Sequence, residues 1–418
     1  MPPQMEFDPL REANEFRSQL ASEKRRLAFL FGAGTSQSVG VEGLAGLTKA
    51  VGTDLKGDDR ATYDALLGLD DTSNLETVLS RLRLCRELAG TNEDRKIDGV
   101  SGKHATILER RICRSIQERV GVEPPGGIVP HFTFAHWVKS LDRSFPVELF
   151  TTNYDILIER GFESAEAPYF DGFVGTVEPF FLITAVDSAA TTLGYPPVPR
   201  NWLRLWKLHG SLNWRSRRDA LTGVARIVRT STAAPTTDEE LIIYPSHQKY
   251  ADSRRLPFLA YHDRLRHLVT SGETLLVVAG YSFSDQHLNE IIYQGLRSNN
   301  RLAVTALLFD KMSSEAVERN LLKPTLGSRN LTIYAPDGAS VGGREGIWKE
   351  PKEAPPTPAD NWPFWDTKTT HFTLGDFRQF VEFLRVFMGV RTPELPVSPV
   401  GTPEVAIAAT SGAPVQSE

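Results

Sequence analysis

The feature that most limits the fold is a set of short apolar runs, each stopped by glycine or by small polar residues. RRLAFLF (25–31) stops at GAGTS (32–36), VELFTT (147–152) at NYD, and TLLVVAG (274–280) at YSFSD. RLWKL (204–208), LIIYP (241–245), VTALLFD (304–310) and LTIYAP (331–336) are similar. A strand wetted on one side alternates polar and apolar residues. An unbroken run is the pattern of a strand covered on both faces, as in parallel sheets. Helix-period segments lie between several of the runs, among them DILIERGF, FLAYHDRLRHLVTSG and HLNEIIYQGLRS. Buried strands alternating with helices predict an α/β fold with a doubly wound, mostly parallel sheet.

The rest of the chain is organised around these strands. Residues 1–25 read as a polar lead-in helix, and residues 54–145 as a helical module inserted after the first strand-helix unit. In that module SNLETVLSRLRLCREL opens with a capping-box pattern, Ser73 to Glu76. Its apolar stripe of Leu75, Val78, Leu79 and Leu82 makes Cys85 a core residue. The α/β unit comprises residues 26–53 and 146–336, with 162–203 and 213–240 read as loops and insertions. A C-terminal extension, 337–390, carries the amphipathic helix DFRQFVEFLRVFMG. Phe377, Phe380, Val381, Leu384, Phe387 and Met388 share one of its faces, for packing on the body or for an oligomer contact. Residues 391–418, rich in proline and small residues, are expected to be disordered.

Composition excludes several functions. Two cysteines, Cys85 and Cys113, are too few for a disulfide framework or a four-cysteine zinc site. A net charge of −5 creates no whole-protein field for nucleic acid. No apolar run reaches the roughly 18–20 residues of a membrane span, and the N-terminus lacks a signal-peptide core. A cytoplasmic protein with reduced thiols is expected.

Four polar clusters follow strands, where an open α/β sheet gathers ligands. Gly32 and Gly34 permit close approach of a ligand to the backbone ahead of a helix start, or form an ordinary turn. Asn153 and Asp155, two residues apart on extended chain, point the same way and suit ribose hydroxyls or an amide-bearing ring; capping of the next helix is the alternative. His209, before Gly210, is placed for proton transfer near neutral pH, or is structural. Gly280, Ser282 and Ser284 offer a second phosphate or ribose contact, and Asp285 is a candidate helix cap.

Taken in order, GAGTSQSVGVEG, TTNYD, LHGSLNW and GYSFSDQHLNEII resemble the SIR2 (sirtuin-like) superfamily over about residues 26–310. The resemblance implies a Rossmann-like domain that binds NAD⁺. Gly32, Ala33, Gly34 and Ser36 would hold the dinucleotide phosphates, and Gly280 and Ser282 the adenosine side. Asn153 and Asp155 would lie near the nicotinamide and its ribose, with His209 as the catalytic histidine. The chain departs from protein-deacylating sirtuins in lacking two cysteine pairs and in reading GVEGLAG where they read GIPDFR. It is more similar to bacterial SIR2-like NADases of antiphage defence. That likeness implies an NAD⁺ hydrolase with NAD⁺ as substrate and no zinc. It also implies a homo-oligomer and a companion protein such as a HerA-type ATPase. An NAD⁺-dependent deacylase or ADP-ribosyltransferase, and a non-catalytic NAD⁺ or ADP-ribose sensor, are the competing expectations.

Overall fold

The computed structural model describes residues 5–70, 73–90, 94–121, 123–124, 127–186, 198–218, 222–231, 240–243, 256–351 and 362–387. One 10-stranded sheet forms the frame. Its spatial order is Glu6–Phe7, Arg344–Trp348, Gly338–Val341, Leu331–Ala335, Leu302–Leu307, Thr274–Ala279, Arg26–Phe31, Glu148–Thr151, Leu203–Lys207, Tyr169–Phe170. From Leu331–Ala335 to Tyr169–Phe170 every neighbouring pair is parallel. The hairpin of Gly338–Val341 and Arg344–Trp348 adds an antiparallel edge.

The predicted doubly wound sheet is present, and its runs are apolar because both faces are covered. Leu27, Phe29 and Phe31 point into a core shared with Phe16, Phe134, Trp137, Phe162 and Phe380. Ala28 and Leu30 point the other way, towards Tyr261, Leu265, Leu288 and Ile292. The period of two along one strand thus feeds two cores. Helices Pro9–Ala21, Val129–Lys139, Leu157–Ser164 and Phe377–Phe387 supply the first face, and Phe258–Thr270 and Gln286–Ser298 the second.

The chain leaves Arg26–Phe31 towards one side of the sheet, then crosses back to Thr274–Ala279 on the other. The switch point lies between the carboxyl ends of these two strands, where a crevice opens in folds of this class.

Two details differ from the expectations, and a third decides between two of them. Helix Leu75–Ala89 is capped by Asn74, whose side chain accepts from the Glu76 and Thr77 amides, so the capping box is Asn74 with Thr77. Ser73 Oγ is instead buried without a partner among the described residues. Residues 162–203 and 213–240 contain strands: a five-stranded sheet runs Glu240–Ile243, Gly210–Arg218, Ala225–Arg229, Phe180–Phe181, Phe173–Val174. The LIIYP strand belongs to this second sheet, not to the parallel one. Finally, helix Phe377–Phe387 takes the first of its two expected roles, packing on the body: Phe377, Phe380, Val381, Phe383 and Leu384 are buried, the phenylalanines against Phe16, Phe29, Phe31 and Phe134, while the Phe387 side chain lies outside the description. Met388 and the tail 391–418 lie outside the described residues.

Helices Leu44–Asp54, Gly57–Leu67, Leu75–Ala89 and Gly102–Val120 enclose a third core that includes Cys85, Cys113 and Leu212, with Tyr154 packed against it. Both cysteines are buried thiols, and burial pushes the Cys85 thiol above its usual range.

Candidate functional site

The glycine loop is shaped by its neighbour across the switch point. Gly32 N–H donates to Ala279 O at 3.1 Å and Gly34 N–H to Gly280 O at 2.9 Å. A Cβ on Gly32 would stand 2.5 Å from Gly280 O, and one on Gly34 2.7 Å from Gly280 Cα. Gly280 has φ +63°, and its own Cβ would meet Thr35 N at 2.6 Å. Two strand ends therefore touch backbone to backbone, which only glycine permits. The single helical turn Gly34–Gln37 follows. Its amides are already engaged: Thr35 N–H donates to Gly32 O, and Ser36 and Gln37 N–H to Ala33 O. Ala33 is exposed at the apex, and its N–H makes no hydrogen bond among the described residues. The open donor for an anion is thus Ala33, and the following amides close the turn.

Asn153 and Asp155 converge on this loop. Asn153 Nδ2 donates towards Gly32 O at 3.1 Å, Thr35 Oγ1 at 3.0 Å and Ser36 Oγ at 2.8 Å. Ser36 Oγ–H in turn donates to Asp155 Oδ2 at 2.6 Å. The two side chains point the same way, as their spacing predicts. The other oxygen of Asp155, Oδ1, accepts from Leu157 N–H at 3.0 Å; Asp155 stands one residue ahead of Ile156, the N-cap of helix Leu157–Ser164. One oxygen thus faces Ser36 and the other the helix start. Asn153 presents its amide hydrogens to the loop, while its Oδ1 has no partner among the described residues.

Tyr154, between them, faces the helical module, and its carbonyl accepts from Leu212 N–H at 2.8 Å. This bond ties the TTNYD loop to the LHGSLNW segment. Beneath them Lys207 and Glu159 form a buried ion pair at 2.7 Å, 2% and 9% exposed, and Lys207 Nζ also donates to the Asp155 carbonyl. Burial raises the Glu159 carboxyl, with Lys207 opposing the shift.

His209 sits where the chain leaves the large sheet for the small one. Strand Leu203–Lys207 ends, Leu208 N–H donates to Thr151 O at 2.8 Å, and Gly210, with φ +82°, turns the backbone into Gly210–Arg218. His209 Nε2 lies 3.1 Å from Asp285 Oδ2. Asp285 is the N-cap of Gln286–Ser298, its Oδ1 accepting from the His287 and Leu288 amides. One carboxylate thus caps a helix and orients the imidazole. Capping was legible in the sequence. The pairing with His209 was not, because it joins positions 76 residues apart.

The loop between Gly280 and Asp285 is held firmly. Phe283 is buried at φ +53°, a costly conformation for a bulky residue. Tyr281 OH donates to Asn289 Oδ1 at 3.0 Å, and Asn289 Nδ2 to Phe283 O at 2.7 Å. Ser282 and Ser284 are left on the surface, their hydroxyls 2.9 Å apart. Sequence reading also passed over His131, which lines a small cavity with Phe31, Thr35, Thr151, Asn153, Asp155 and Ile158. Burial pushes its imidazole down to about 4. Among the described residues no group of three or more His, Cys, Asp or Glu side chains is arranged to hold a metal ion, and no helix is long and apolar enough to cross a membrane.

Residues 147–329 match the family model described as the SIR2-like domain. That stretch contains the Asn153, His209 and Gly280 loops but not the glycine loop at 32–36. Among solved structures, a SIR2 homologue in complex with NAD is 16% identical, with 77% of this chain and 87% of that chain covered and a TM-score of 0.37. A complex of Sir2 with a p53 peptide and NAD⁺ is 14% identical, covering 73% and 94%, with a TM-score of 0.35. No curated protein sequence matches the chain.

Proposed function

We propose that this protein is an NAD⁺ glycohydrolase, cleaving NAD⁺ to nicotinamide and ADP-ribose. We further propose that it serves bacterial antiphage defence by depleting NAD⁺, in an oligomer or with a companion such as a HerA-type ATPase. The observation that carries the activity is the hydrogen-bonded chain from Asn153 through Ser36 to Asp155, lying on a glycine loop at the sheet's switch point.

The chemistry follows from the bond to be broken. Cleavage of the nicotinamide–ribose bond develops oxocarbenium character at the anomeric carbon, as in glycoside hydrolysis. Nicotinamide leaves as a neutral molecule, so no strong general acid is needed. The requirements are a held ribose and an activated water. In this reading the contact of Gly32 and Gly34 with Gly280 leaves room for a pyrophosphate over the Ala33 amide. Ser36 links the carboxamide and the carboxylate, and Asn153 Oδ1 accepts from a ribose hydroxyl or from the attacking water. The Asp155 carboxylate stands against developing positive charge. His209, oriented by Asp285, takes the proton from water, a step worth on the order of 10²–10⁴-fold. Gly280 and Ser282 face the adenosine side.

The test is incubation of the purified chain with NAD⁺ and chromatographic measurement of nicotinamide and ADP-ribose, with His209→Ala and Asn153→Ala alongside. Release that both substitutions abolish is expected. Release only with an added companion protein places the switch in assembly. NAD⁺ bound without release, under every condition, refutes the hydrolase and leaves a sensor. Nicotinamide formed only when an acylated peptide or acceptor protein is supplied refutes it in favour of group transfer.

A further inference from the structure

His131 is a buried polar side chain beside Asp155 that the mechanism above leaves unused. It lies on helix Val129–Lys139, is 2% exposed, and its Nδ1 has no hydrogen-bond partner among the described residues. Buried ring nitrogens are seldom left so, and each exception calls for an explanation. Ring and backbone are each held by a neighbour. Phe377 of the C-terminal helix lies 5.3 Å from the ring, centroid to centroid. Helix Leu157–Ser164 presses on the backbone so closely that a Cβ on Gly161 would come within 2.7 Å of the His131 carbonyl carbon.

The cavity it lines measures about 10 Å³. That is far too small for a nucleotide ring but near the lower limit for one water molecule, which needs two to four polar partners. Thr35, Thr151, Asn153, Asp155 and His131 all border the space. We infer that His131 is a positioning residue for Asp155, joined to it through a single water held in this cavity. The water gives the orphaned ring nitrogen a partner and adds a donor to a carboxylate that otherwise accepts from Ser36 Oγ–H and Leu157 N–H. A chain of hydrogen bonds then runs from the helix 129–139 through Asp155 and Ser36 to Asn153 and the glycine loop. Burial keeps the imidazole neutral at physiological pH, so it does not discharge the carboxylate. The other charged groups nearby are Lys207, on the Asp155 carbonyl, and Glu159, paired with Lys207.

The catalytic consequence rests on the hydrolase reading; the water itself does not. A crystal structure of the full chain, at a resolution that shows ordered water, is expected to place one water in hydrogen-bond contact with His131 and Asp155. A dry cavity overturns the inference. In the NAD⁺-cleavage assay His131→Phe, which removes both ring nitrogens, is expected to lower kcat about tenfold with KM nearly unchanged. His131→Asn, which keeps a donor near the Nδ1 position, is expected to recover most of that loss. Equal impairment of Phe and Asn variants, or full activity in Phe, overturns it. A wild-type chain that releases no nicotinamide defeats the hydrolase proposal instead, and the crystallographic result still decides the role of His131.

Discussion

Acidification should destabilise this protein through His131 by an amount the structure specifies. An unfolded histidine titrates near 6.5, whereas burial lowers the folded imidazole to about 4. Between these values the unfolded chain binds more protons than the native one, so stability falls as pH falls. The stability is fully present above about pH 6.5 and is lost as pH descends to the folded value. The loss amounts to about 1 kcal/mol at pH 5.5 and about 2–3 kcal/mol at pH 4.5. Wild type alone does not isolate this effect, because burial raises the carboxyls of Glu12, Glu159 and Asp171. Those groups bind protons more readily when folded, and so oppose the acid loss. The comparison must be between wild type and His131→Phe, in urea unfolding followed by tryptophan fluorescence at pH 7.5, 5.5 and 4.5. The variant should fall less steeply, the gap between the two curves changing by about 2–3 kcal/mol between pH 7.5 and 4.5. Parallel curves would refute the assignment of a neutral, desolvated imidazole at this position.

Three further outcomes follow from the site. Gly280→Ala combines φ +63° with a Cβ 2.6 Å from Thr35 N, and should cost about 2–4 kcal/mol of stability and displace the glycine loop; an unchanged melting temperature would contradict this. Lys207→Met leaves the Glu159 carboxylate buried without its cation and should cost about 3–5 kcal/mol, while Lys207→Met with Glu159→Leu should recover most of it. Thermal melts of the single and double variants provide the check. Asp285→Asn retains an oxygen to cap helix Gln286–Ser298 but weakens its hold on His209. Nicotinamide release should drop with little change in melting temperature, whereas Asp285→Ala should also lose about 1 kcal/mol of cap energy.

The sequence by itself determined the parallel strands and the places where they stop. RLAFLF and TLLVVA are apolar at every or nearly every position because each feeds two cores, and that demand is written locally. The same holds for the glycines at positions 32, 34 and 280, for the shared direction of Asn153 and Asp155, and for the capping role of Asp285. Only the tertiary structure decided the rest. The five-stranded sheet was hidden because Gly210–Arg218 carries Asn213, Arg215, Arg217 and Arg218 in place of an unbroken apolar run, and Arg217 meets its partner Glu178 from far along the chain. Asn74 displaced Ser73 as cap through one residue of backbone geometry that a pattern of residue types does not contain. His131 was not singled out in the sequence, and His209 was read as a proton-transfer or structural histidine with no carboxylate assigned to it. Their settings, a cavity beside Asp155 and a carboxylate 76 residues away, exist only once the strands have brought distant turns to one edge. Burial patterns are imposed residue by residue and can be read in order. Pairings between loops depend on register and packing, which no single stretch of chain encodes.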